Sequence, residues 1–160
     1  MMESDIDDTV RSLIKDSKKD LQWELNLDCF ILRIISIPDS TLIWVVGGEE
    51  HVFLVDAKKV RVVKKYEHVG EIIFSSVLHP KTSDLILSSS NGVSMLTIGG
   101  EHVWLLKEDR WFEHLAISTT GEFLLVSKGK TLCIFQEDEQ RYQLINQDST
   151  FKSTISDLIF

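Results

Sequence analysis

Ser36-Ile37-Pro38-Asp39-Ser40, Leu78-His79-Pro80-Lys81-Thr82 and Ile117-Ser118-Thr119-Thr120-Gly121 are three polar bends, each closing a run rich in Val, Ile and Leu. Pro38 and Pro80 are 42 residues apart, and Pro80 and Thr119 are 39 apart. A period of this size marks a repeated supersecondary unit rather than a single irregular fold. Four short apolar runs recur around each bend: 30–37, 42–47, 51–56 and 60–66; then 72–79, 85–89, 93–98 and 102–107; then 114–118, 122–127, 131–136 and 141–146. Turn residues interrupt them roughly every eight to twelve positions, the pattern of short antiparallel strands. The second and third runs of each set are joined by Glu49-Glu50, Asn91-Gly92 and Gly129-Lys130. Asn91-Gly92 is expected to fill the two central positions of a two-residue hairpin, both of which need positive φ.

The 160 residues suit one domain, and 43% hydrophobic with 26% charged residues excludes a disordered or collagen-like chain. Cys29 and Cys133 lie about a hundred residues apart without metal-ligand neighbours, so buried thiols in a reducing compartment, cytosol or nucleus, are expected. The longest apolar runs span four to six residues, and the start Met-Met-Glu-Ser-Asp is not basic and greasy. Neither a membrane-spanning helix nor a signal peptide is expected. Residues 1–22 are expected to form a separate helix or tail: at helical spacing Ile6, Val10, Leu13 and Ile14 would share one stripe, with Ser4, Asp5, Asp7 and Asp8 at its start and Lys15, Lys18 and Lys19 at its end.

Over roughly residues 28–160 the chain resembles the WD40-like β-propeller family. Ile37-Pro38-Asp39-Ser40 and Ser118-Thr119-Thr120-Gly121 stand at that family's first-hairpin turn, and Val55-Asp56 closes a third strand where Trp-Asp would stand. Glu67-His68 and Glu113-His114 precede new first strands, where the family often keeps Gly-His. No repeat has a Trp-Asp pair, and the other third strands end Thr97-Ile98 and Phe135-Gln136. The resemblance implies an all-β partial propeller over 23–160, with four-stranded blades at about 28–67, 70–109 and 111–148. The stretch 153–160 is expected to supply the first strand of a fourth blade, because Ile117 to Phe160 is again one period, 43 residues. A single irregular β-sandwich is the alternative for the same strand count. Since propellers have about four to eight blades, three would belong to a larger chain or close against other subunits.

No motif names a reaction. His51, His68, His79, His102 and His114 contain no close pair with ligand spacing, so neither metal nor cofactor is expected. Gly47-Gly48 and Gly99-Gly100 precede strands and carry acidic neighbours, which fits hairpins rather than phosphate loops. Ser75-Ser76 and Ser88-Ser89-Ser90 lack a nucleophile-elbow context. Lys58, Lys59, Arg61, Lys64 and Lys65 form a basic strip on the outermost strand of the first repeat, in a chain of net charge −8. The strip would bind an acidic protein or RNA, or would simply discourage edge-to-edge pairing. Arg110, Trp111 and Phe112, in the loop between repeats two and three, are the candidate aromatic contact, whereas core packing is expected for Trp44. The resemblance implies a non-catalytic scaffold that binds proteins. The alternative function is an enzyme or enzyme subunit whose active site lies in further blades.

Overall fold

The computed structural model describes residues 24–48, 50–109, 111–139 and 141–160. The helix expected over 1–22 lies outside them. The described residues form strands β1 (Ile31–Ser36), β2 (Leu42–Gly47), β3 (Val52–Asp56), β4 (Arg61–Tyr66), β5 (Ile73–Leu78), β6 (Leu85–Ser89), β7 (Gly92–Leu96), β8 (His102–Lys107), β9 (His114–Ile117), β10 (Phe123–Lys128), β11 (Thr131–Asp138) and β12 (Arg141–Asp148). Each consecutive group of four is one antiparallel sheet in which chain order is spatial order. Among the described residues no helix is long and apolar enough to cross a membrane.

The repeat is visible in the backbone. At the first bend Ile37 N–H donates to Leu42 O, at the second His79 N–H donates to Asp84 O, and at the third Ser118 N–H donates to Phe123 O. The outermost strand of every sheet carries one extra residue: Val63 between the pairs Leu54↔Lys64 and Val55↔Val62, Leu105 between Val93↔Leu106 and Ser94↔Trp104, and Ile145 between Ile134↔Asn146 and Phe135↔Leu144. Such a bulge bends the strand and increases its twist at an edge.

The middle sheet explains why the apolar runs are unbroken. Along β6, Leu85 and Leu87 point into a core with Trp44, Val46, Val52 and Leu54 of the first sheet. Ile86, between them, points to the opposite side and packs with Leu124, Val126 and Phe135 of the third sheet. Strands covered on both faces need apolar residues at both phases of the two-residue period. A two-layer sandwich has no such middle sheet, so the stacked arrangement replaces that alternative. Polar contacts tie the sheets together at several depths. Arg33 Nη1 donates to Ser76 O at 2.9 Å and lies 3.1 Å from its Oγ; Trp44 Nε1–H donates to Ser83 O at 2.9 Å; Tyr66 Oη–H donates to Thr97 O at 2.5 Å.

Two expectations need correction. Ser89 pairs with Gly92, so the central turn residues are Ser90 and Asn91, and neither has positive φ. Gly92, at φ 130°, begins β7, where a Cβ would lie 2.0 Å from Leu106 O; the glycine serves the approach of β8 rather than the turn. Residues 153–160 form no strand. Ile155 N–H donates to Gly129 O, and no ladder of strand pairing among the described residues includes this stretch. On the far side of the first sheet, Val45, Phe53 and Val55 are covered by Leu25, Leu27 and Cys29.

Candidate interaction surfaces

The basic strip begins in the turn between β3 and β4. Asp56, only 6% exposed, organises that turn: its Oδ1 accepts from the N–H groups of Lys58 and Lys59, each at 3.0 Å. These bonds, with that from Lys59 foremost, hold the Asp56 carboxyl below the ordinary range. The side chains of Lys58, Lys59, Arg61, Lys64 and Lys65 are all on the surface, since β4 has a partner strand on one side only. Lys59 Nζ stands 3.7 Å from Asp56 Oδ2 and Lys65 Nζ 2.8 Å from Glu67 Oε1. The bond and charge of Lys65 depress the Glu67 carboxyl. Lys58, Arg61 and Lys64 make no ion pair among the described residues. The strip thus brings five of the predicted site residues together and leaves three of their charges without a counter-ion among the described residues.

The predicted aromatic contact divides. Trp111 is 62% exposed, with its ring 6.0 Å from that of Phe74. Phe112 is 1% exposed within the core between the second and third sheets, beneath Lys128 Nζ at 5.4 Å from the ring centroid. Burying that ring removes a large apolar area from water, so Phe112 is a packing residue and not a partner contact. Arg110 lies outside the described residues. Trp44 is fully buried between the first two sheets.

A third surface escaped sequence reading. Between the second and third sheets, at the end carrying the β5–β6, β7–β8 and β11–β12 turns, lies a cavity of about 860 Å³. Asp84, Glu101, Glu137 and Glu139 contribute carboxylates to it, Arg141 a cation, and Met95, Trp104, Leu105 and Tyr142 an apolar wall. His79 also lines it and is 2% exposed. Its Nδ1 accepts from the N–H groups of Lys81 at 3.3 Å and Thr82 at 3.2 Å, so the neutral ring carries its hydrogen on Nε2. That nitrogen faces Glu137 Oε1 at 3.5 Å without forming a hydrogen bond. His102 Nε2 is likewise buried and unpartnered, and burial, then Lys107, lower the pKa of that ring. Tyr142 Oη–H donates to Gly121 O; burial and the nearby Glu137 charge push the phenol pKa up. These residues come from the β5–β6 turn and from strands β7, β8, β11 and β12 with their connecting turns, with no shared local pattern in the sequence. Among the described residues no cluster of three or more His, Cys, Asp or Glu is placed to hold a metal ion.

No protein-family model and no curated protein matches the sequence. Among solved structures, the chain is similar to the β-propeller domain of Cps50 (Swd1) from Myceliophteria thermophila, with a TM-score of 0.68 and 13% identity. The similarity covers 82% of this chain and 47% of that one, so the chain spans about half the length of the structure it matches. At that identity the likeness speaks to fold alone, and it agrees with the stacking of the sheets: the described residues form three consecutive four-stranded blades of a β-propeller.

Proposed function

We propose that the chain is a non-catalytic protein-interaction scaffold of the WD40-like kind, a segment of a larger propeller chain or complex, and that its first blade receives an acidic protein partner along β4. The observation that carries this reading is the outer edge of β4, which has no partner strand among the described residues, with Lys58, Arg61 and Lys64 exposed and lacking counter-ions among those residues, in a chain of net charge −8. A rigid stack of sheets suits the role because its turns and edge strands vary without disturbing the core. Complementary charge would steer an acidic surface to the strip and fix its register. The cytosol or nucleus is the compartment that goes with this reading.

RNA would meet the same five cations, but two of them already face carboxylates and the chain as a whole repels polyanions. Affinity isolation of the full chain, with and without nuclease, beside the K58E/K59E/K64E/K65E variant tests the proposal. The expected result is a nuclease-resistant protein partner recovered with wild type and lost with the variant. Identical recovery by both proteins, or loss of the bound material on nuclease treatment, would overturn it.

A further inference from the structure

The cleft between the second and third blades has two unmet needs. Glu101 and Glu139 have no cationic partner among the described residues, and Glu137 has only the neutral His79 ring at 3.5 Å. The His79 Nε2–H, 98% removed from solvent with the rest of its side chain, has no acceptor. A buried donor left in that condition is costly, by about 1–3 kcal/mol in general, and a concentration of like charge beside it adds to the cost.

One kind of ligand answers both. A carboxylate has two oxygens and accepts several hydrogen bonds. A cation bound between Glu137 and Glu139 would fix the Glu137 carboxylate with one oxygen on the ligand and the other on His79 Nε2–H. The Trp104 and Tyr142 rings line the same cleft, and Lys107 Nζ already lies 5.6 Å from the Trp104 centroid; such a wall favours a planar, weakly hydrated cation that stacks as well as pairs. Its fork of donors matches carboxylate oxygens two at a time. The volume, about 860 Å³, accommodates one long side chain and the backbone on either side of it. Arg141, which also lines the cleft, is the opposing charge, outnumbered by the four carboxylates.

We infer that this inter-blade cleft is a binding site for an arginine side chain presented by a peptide segment of a partner protein. It deepens the scaffold reading, on which it rests for the supposition of a protein partner, and it is opposite to the β4 strip in sign of charge; of the strip, Lys64 comes close to the cleft, its side chain lying beside Gly100, next to Glu101. His79 acts as a positioning residue, holding Glu137 in line for the guanidinium.

The test is titration of the full-length chain with acetyl-Ala-Ala-Arg-Ala-Ala-amide, followed by amide and imidazole NMR signals. The same peptide with citrulline, the same peptide with lysine, and spermidine serve as competitors. Saturable shifts are expected at Trp104, Glu137, Glu139 and the His79 Nε2–H, with affinity reduced roughly tenfold or more by citrulline, and by E139Q, whose side chain is on the surface and outside the core. The K58E/K59E/K65E variant, which leaves Lys64 beside Gly100 in place, should bind the arginine peptide as wild type does, which separates this site from the rest of the strip. Absence of shifts at millimolar peptide, equal binding of citrulline, or equal binding of spermidine would each overturn the assignment; the last would indicate a site for free amines. A partner lost on reversing the strip while the cleft stays silent would leave the scaffold reading standing and remove this one.

Discussion

Replacing Gly92 by alanine puts a methyl group where the backbone of β8 already lies. The added Cβ would stand 2.0 Å from Leu106 O, 3.0 Å from Leu106 C and 3.1 Å from Lys107 Cα, all main-chain atoms that no rotamer change can move. At φ 130° the alanine would also occupy a region open almost only to glycine, a strain of about 1–3 kcal/mol. Relief requires β7 and β8 to part, with the loss of one or two ladder bonds at about 1 kcal/mol each. The sum is about 2–5 kcal/mol, a large fraction of the ~5–15 kcal/mol that holds a domain together. Gly99 is the control: it sits in the next turn, outside the positive-φ region, and its added Cβ would meet only Thr97 Oγ1 at 3.7 Å. Urea unfolding of wild type, G92A and G99A measures the difference. G92A is expected to unfold far earlier, and G99A within about 1 kcal/mol of wild type. Equal midpoints for the two variants would refute the register of β7 on β8 and return Gly92 to the hairpin turn.

The chain has two tyrosines, Tyr66 and Tyr142, so its phenolate absorbance reports on these alone. Burial, then the Asp84 charge, pushes Tyr66 up to about 12, and Tyr142 is raised too. Because the folded values lie above the unfolded value near 10, the stability tied to these phenols is whole below pH 10 and is lost as pH rises from 10 through 12, roughly 3 kcal/mol of it from Tyr66. Tyrosinate absorbance with a midpoint near 10 in the folded protein would contradict this. W44F removes the indole donor from Ser83 O between the first two blades and is expected to cost about 2 kcal/mol in chemical unfolding; an unchanged midpoint would show that this contact does not join the blades.

Sequence reading located most strands within one or two residues because burial on both faces leaves a direct mark. Leu42–Gly47 and Leu85–Ser89 were expected at the boundaries they take. The 42- and 39-residue spacings of the bends reappear as the recurring bond at Ile37, His79 and Ser118. What escaped had causes distant in the chain. The register at Gly92 is set by Leu106, fourteen positions away. Phe112 follows no strand period because it plugs the core from a loop. The hairpin of β11 and β12 runs on through Glu137 and Asp138, polar residues that read as turn, and this extension carries Glu137 and Glu139 to the cleft facing His79.

Methyl-to-methyl NOE spectroscopy of selectively labelled protein tests the stacking of the blades most directly. Cross-peaks are expected from Val46 and Leu54 to Leu85 and Leu87, and from Ile86 and Val93 to Leu124 and Val126, with none linking Val46 or Leu54 to Leu124 or Val126. Direct cross-peaks between the interiors of the first and third sheets would contradict the arrangement in which the second separates them.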